Sequence, residues 1–123
     1  MAEDKGKVVI NLATGLEDPE RVMIAFLVGG AAAAEGRQVA MFLTKEAVRI
    51  ATPGVANTVA CEECPPLARL FEQYASNGGE LLVCPICVKS RGLEDEELVS
   101  NARTAGATPL WEWIGDGATV FSY

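Results

Sequence analysis

The chain has 123 residues, room for one domain with a real core and too few for two ordinary ones. Half of the residues are apolar and 22% are charged, a globular balance that argues against disorder. There is no histidine, which removes a Ser-His-Asp triad, a Cys-His dyad and any His-ligated metal; seventeen acidic residues against ten basic ones give a net charge of −7, unsuited to the phosphates of nucleic acid.

Met1 to Lys7 is polar and leads into only a short apolar run, so no secretory signal is expected. No apolar stretch approaches the length of a membrane span. A cytoplasmic protein with reduced thiols is therefore expected, without a stapling disulfide.

Residues 7–13 carry a β-branched run fit for a buried strand. Asp18 followed by Pro19 reads as an N-cap and a first helical position, opening a helix over 19–35. Val22, Met23, Phe26 and Leu27 have the spacing of its buried face. Gly29-Gly30 implies close contact with a sheet, and Gly36 a left-handed stop. Residues 37–43 read as a second strand, followed by an irregular stretch with a short turn at 45–50. Pro65-Pro66 opens a helix through Ser76, with Leu67, Leu70, Phe71 and Tyr74 on one face and Asn77-Gly78-Gly79 as its end. Residues 80–84 form a third strand, and 90–92 a break. A helix is expected over 95–104, with the acidic run 94–97 near its positive end. Strands are expected at 107–111 and 118–122. Alternating strands and helices imply a parallel sheet covered on both faces, in one domain over 1–123. Sites in such folds gather at the carboxyl ends of the strands.

The chemistry left to the chain lies in two Cys-x-x-Cys pairs, Cys61/Cys64 and Cys84/Cys87. Cys84 ends a strand and Pro85 suits the first turn of a helix, so the thiol meets unpaired backbone N–H groups. That environment favours the thiolate, the reactive form, and Lys89 and Arg91 add positive charge for anionic sulfur species. A thiolate needs no general base, so the missing histidine is no obstacle. Cys84 could take the outer sulfur of a persulfide, and Cys87, one helical turn on, could resolve it as a disulfide. Arg91 has a plainer use as a surface ion-pair partner of Glu94 or Asp95, and Lys45 as a solvated lysine.

Two other readings stand beside this one. The pairs, separated by residues 65–83, have the spacing of a four-thiolate zinc site, which would make Cys61, Cys64, Cys84 and Cys87 ligands in an interaction module. The Pro65-Pro66 that follows Cys64, and the strand-to-helix setting of Cys84, are unlike a zinc-ribbon knuckle. Cys84-Pro85-Ile86-Cys87 also has the spacing of a thiol oxidoreductase, although thioredoxin-like folds place that pair after an early strand. Thr14-Gly15 lacks either glycine-rich phosphate pattern and reads as a turn. Trp111, Trp113 and Ile114 form an apolar patch that serves either core or interface.

Cys84, with Arg91-Gly92-Leu93 seven positions on, resembles the DsrE/DsrF-like family. The likeness extends over the opening strand, the helix ending in Glu35-Gly36, the Phe42-Leu43 strand, Gly78-Gly79 before the cysteine strand, and the closing Val120-Phe121-Ser122-Tyr123. It implies a three-layer α/β/α sandwich with a mostly parallel five-stranded sheet. It also implies sulfur handling, with the cysteine at the position of Cys84 as persulfide carrier or sulfurtransferase nucleophile. A second cysteine at the position of Cys87 matches the YchN-like branch. Cys61 and Cys64 depart from the relay subunits and stand as accessory thiols or zinc ligands. The family further implies sulfur donor and acceptor proteins as partners and a homo-oligomer, trimer or hexamer, with no required cofactor.

Overall fold

A computed structural model describes residues 5–123; the polar opening Met1 to Asp4 lies outside the described residues. Five strands, β1 (Lys7–Leu12), β2 (Gln38–Leu43), β3 (Glu80–Val83), β4 (Ala102–Thr104) and β5 (Thr119–Ser122), form one sheet in the order β4-β3-β2-β1-β5. Every neighbouring pair is parallel, so all carboxyl ends share one rim. The helices are α1 (Pro19–Ala34), α2 (Leu67–Ser76), α3 (Pro85–Ser90) and α4 (Ala107–Ile114). Two 3-10 segments, Lys45–Ala51 and Val55–Thr58, carry the chain from β2 toward α2.

Alternation along the strands sorts the side chains onto two faces. Ile10, Leu12, Val39, Met41, Leu43, Leu81 and Val83 are buried with Phe26 of α1 and Tyr74 of α2. Ala40 and Leu82 point the other way, against Leu110 and Trp113 of α4. Three layers result, with α1, α2 and α3 on one face and α4 on the other. Tyr74 anchors the thicker layer: its ring meets Phe26 edge-on at 5.6 Å and its hydroxyl donates to the Glu80 carbonyl at 2.6 Å. Burial, and then the Glu80 charge, push this phenol well above the usual tyrosine range. Gly79 must be a glycine here, because a Cβ would lie 2.4 Å from the Tyr74 ring.

Most expected elements are present. Asp18 caps α1 by accepting from the Arg21 N–H at 3.1 Å, with Pro19 first in the helix. Gly29 lies against Met41, Tyr74 and Ile10, and Gly36 is left-handed at φ 97°. The buried face of α1 differs from the expected one. It runs through Val22, Ala25, Phe26, Gly29 and Ala33, while Leu27 is 40% exposed. The small residues let the helix sit low on the sheet, which turns Leu27 outward.

Two elements depart from expectation. Residues 95–104 are not a helix: the acidic run 94–97 is exposed and irregular, and β4 follows it. Its only apolar residues before β4, Leu98 and Val99, pack on the core, and the Val99 N–H donates to the Ala51 carbonyl at 2.8 Å. Four consecutive acids repel one another and supply no apolar stripe, so nothing offsets the entropy of a helix there. Residues 107–111 are not a strand but the start of α4. Pro109 is tolerated in a first turn and excluded from a central strand, and Leu110, Trp113 and Ile114 have helical spacing.

Candidate functional site

β3 and β4 are neighbours whose chains leave the rim toward opposite faces. From β3 the chain passes through Cys84 into α3, which packs on the thick layer through Cys87 and Val88, with Leu93 just beyond it. From β4 it passes through Ala105 and Gly106 into α4 on the thin layer. In open parallel sheets, ligand sites form at such divergences. Cys84 stands at this one. Its N–H donates to the Leu43 carbonyl at 3.0 Å, and its own carbonyl accepts from the Val88 N–H at 3.1 Å, so strand and helix both fix it. Gly106 faces Pro85 across the seam, where a Cβ would touch the proline ring at 3.7 Å.

Cys84 and Cys87 are both free thiols and both half-buried. Ile86 between them is 77% exposed, an apolar side chain with no cover beside the sulfur. Lys89 is exposed, and among the described residues it makes no ion pair. Arg91 does not pair with Glu94 or Asp95. It reaches back to the 3-10 segment, where its Nε donates to Glu46 at 2.9 Å, and its Nη1 donates to the Cys87 carbonyl at 3.3 Å. Glu46 also accepts from Arg49 Nε at 2.6 Å. The hydrogen bonds of Arg49, then of Arg91, hold the Glu46 carboxyl below the usual glutamate range. Arg91 thus satisfies a carbonyl at the open end of α3 and ties that helix to the loop after β2. Lys45 is exposed on the same rim in a left-handed conformation at φ 52°.

Thr14-Gly15 is a turn, and its glycine has a structural reason. A Cβ on Gly15 would lie 2.5 Å from the Glu46 carbonyl oxygen, so the loops after β1 and β2 touch backbone to backbone. Glu46 is therefore held from both sides, by Gly15 beneath it and by two arginines. No motif in the sequence marks Glu46; its partner Arg91, just after α3, lies 45 residues away.

The two cysteine pairs are not gathered into one centre. Cys61 and Cys64 are bonded to each other as a disulfide, contrary to the expectation of reduced thiols throughout. The expectation weighed the compartment, whereas a two-residue spacing with a tight turn already brings the Cα atoms to 5.4 Å, within disulfide reach. Among the described residues, no group of three or more Cys, Asp, Glu or His side chains is placed to hold a metal ion. The aromatic patch is split: Trp111 is 70% exposed, whereas Trp113 is half-buried, donating to the Glu80 carboxylate at 2.9 Å beneath Lys7.

A model of the DsrE/DsrF-like family matches residues 6–123. The chain belongs to that family. Its five-stranded parallel sheet is shared with the crystal structure of the YchN protein from E. coli, at a TM-score of 0.78 and 17% identity over 96% of this chain and 99% of that one. It is shared too with MTH1491 of Methanobacterium thermoautotrophicum, a protein of unknown function, at a TM-score of 0.72 and 10% identity over 97% and 100% of the two chains. Among curated sequences, the uncharacterized protein MK0008 of Methanopyrus kandleri is 28% identical over 104 residues, spanning 85% of this chain and 83% of that protein. These likenesses carry the fold, and the DsrE/DsrF-like family commonly serves sulfur relay. No helix among the described residues is long and apolar enough to cross a membrane.

Proposed function

We propose that this chain is a persulfide carrier, a sulfurtransferase in the broad sense, with Cys84 as its nucleophile. The thiolate attacks the outer sulfur of a donor persulfide, R–S–SH. The S–S bond of the donor breaks, R–S⁻ leaves, and Cys84 carries –S–SH. An acceptor nucleophile then takes that outer sulfur and returns the Cys84 thiolate. Where no acceptor engages, the Cys87 thiolate attacks the inner sulfur, forming a Cys84–Cys87 disulfide and expelling HS⁻. The carrier chemistry calls for no metal.

The observation that carries this reading is the placement of Cys84, a free and half-exposed thiol at the divergence of β3 and β4. Its neighbours supply the other needs of the step. Lys89 and Arg91 add positive charge to an otherwise acidic chain, and the bare Ile86 offers an apolar contact to a partner protein. Arg91 acts first as a positioning residue, since Glu46 already engages it. Donor and acceptor are proteins in this reading, and the chain assembles as a homo-oligomer, trimer or hexamer. Trp111, Val120 and Phe121, all exposed, are the apolar surface such an assembly would cover.

Intact mass after incubation with a persulfide donor tests the carrier. One added sulfur, lost in Cys84→Ser and longer-lived in Cys87→Ser, is expected. No adduct with small-molecule or protein donors, or an adduct that survives Cys84→Ser, refutes it. Sedimentation as a monomer at micromolar concentration removes the assembly.

A further inference from the structure

In this acidic chain most cations are engaged. Lys5, Arg21, Arg37, Arg49, Arg91 and Arg103 each pair with a carboxylate, and Lys7 is taken by the ring and carbonyl of Trp113. Among the described residues, Lys45, Arg69 and Lys89 are left without an ion pair, and all three are exposed. Arg69 is on α2, but Lys45 and Lys89 are on the two elements that flank Cys84. Lys45 opens the 3-10 segment after β2, the strand beside β3. On either side of Lys45 that segment is bonded to the cysteine's. The Cys84 N–H donates to the Leu43 carbonyl at 3.0 Å, and Arg91 Nε donates to Glu46 at 2.9 Å. Lys89 lies on α3, the helix that Cys84 opens. The carboxylates of these rim loops are occupied: Glu46 accepts from Arg49 and Arg91, and Glu17 from the Gly15 N–H. The unpaired acids 94–97 stand beyond Leu93, on the connection to β4. Lys45 also holds a left-handed backbone, φ 52°, which glycine or asparagine adopts more readily. Residues kept in such conformations gather at functional sites.

We propose that Lys45, acting with Lys89, sets the charge class of what reacts at Cys84: sulfur compounds with carboxylates beside their sulfur are admitted, and cationic ones are turned away. The inference rests on the persulfide reading above and names the donors that reading left open. A lysine with no carboxylate of its own keeps its full charge for an incoming anion. Two of them on separate elements raise the local concentration of anionic donors around the thiol, against the net charge of −7 that repels anions from the rest of the surface. Lys45 touches no reacting atom in this account; it is a specificity residue that acts through its field.

The test compares two disulfide probes on the full-length chain carrying Cys87→Ser: dithiobis(nitrobenzoate), a dianion, and cystamine, a dication. With either, the Cys84 thiolate attacks one sulfur, a mixed disulfide forms and one thiolate leaves; peptide mass places the adduct on Cys84. The ratio of the two rates is the readout. Lys45→Asn, which suits the left-handed backbone, is expected to lower the dianion-to-dication ratio by about fivefold at low salt, and Lys45→Arg to retain it. The effect of Lys45→Asn is expected to vanish in about 1 M salt. Arg69→Gln removes the same charge from α2 and is expected to leave the ratio unchanged. An unchanged ratio in Lys45→Asn overturns the proposal. So does an equal fall in Arg69→Gln, since net charge alone then sets the preference. The same proteins are loaded with glutathione persulfide and with cysteamine persulfide. If Cys84 takes sulfur but Lys45→Asn keeps the parent's preference between these donors, the lysine selection fails and the carrier stands. If no protein takes sulfur from either, the carrier fails, and the disulfide ratio alone then supports or overturns the selection.

Discussion

Gly15→Ala is the sharpest probe of how the rim is held. Gly15 does not occupy the left-handed region, so an alanine there has no backbone conformation to resist, only contacts. Its Cβ would meet the Glu46 carbonyl oxygen at 2.5 Å and the carbonyl carbon at 2.7 Å, where ordinary contact begins at 3.4 Å. One loop must therefore retreat by about 0.9 Å, and because both partners are backbone no side-chain rotation relieves it. Overpacking of this kind costs about 1–3 kcal/mol. With the unfolding entropy of a chain this long, a loss of about 2 kcal/mol lowers Tm by roughly 8 °C. The retreat also pulls Glu46 from Arg91, now 2.9 Å away, and frees the end of α3. Gly30→Ala is the matched control: it stands in α1 with nothing within 4 Å of its Cβ. That change is expected to stabilise by about 0.5–1 kcal/mol, as alanine does in a helix interior. Scanning calorimetry of the two variants decides the matter. A Gly15→Ala protein that melts with the parent, or a pair of variants that melt alike, refutes the account of the rim.

Other outcomes follow from the same geometry. Tyr74→Phe leaves the Glu80 carbonyl without its 2.6 Å donor, and is expected to lower stability by about 1–2 kcal/mol in urea unfolding with an unchanged m-value. The Glu46 carboxyl, held below its usual 4.5 when folded, contributes stability that is present above that pH and is lost as pH falls through the lower folded value. The urea midpoint is therefore expected to be insensitive to this group at neutral pH and to decline in acid, and Glu46→Gln to flatten that acid limb; an unaltered limb in the variant contradicts the assignment. Arg91→Lys keeps the charge but cannot reach Glu46 and the Cys87 carbonyl together, so it is expected to slow persulfide loading while leaving Cys84 competent.

Much of this architecture could be read in one dimension where local and global signals agree. Asp18-Pro19 sets the start of α1 because cap and ring both fit only there, and β1, β2 and β3 are apolar runs because a parallel sheet is covered on both faces. The last third of the chain was less legible. The acids at 94–97 look like a helix start only if a stripe of apolar residues follows, and Leu98-Val99 alone do not make one. Residues 107–114 hide a helix behind β-favouring Thr108 and Trp111, and the deciding residue is Pro109. At the site, the junction of Cys84 and Pro85 was readable because it is local. The clamp of Glu46 on Arg91 was not, because the pairing is made by the sheet bringing the loops after β2 and β3 together. The Cys61–Cys64 bond likewise has two local solutions, bridge or ligand pair, and spacing does not separate them.

The seam also assigns different security to its two sides. β3 is buried at Leu81, Leu82 and Val83, between β2 and β4. α3 has six residues, none fully buried, and a helix so short has no stability of its own. It persists because Val88 and Leu93 lean on the core and Arg91 reaches Glu46. On the proposed carrier reading, this arrangement lets the strand side of Cys84 stay fixed while the helix side opens without unfolding the sheet. Amide hydrogen exchange should therefore separate the two. The amides of Val88 and Arg91 are expected to exchange through local opening, faster and with little denaturant dependence, while those of Leu82 and Val83 follow global unfolding. Glu46→Gln should widen the gap by accelerating α3 alone. Equal protection on both sides of Cys84, or acceleration spread evenly over β3 and α3 in the variant, would show that helix and strand open as one unit and that the clamp has no local role.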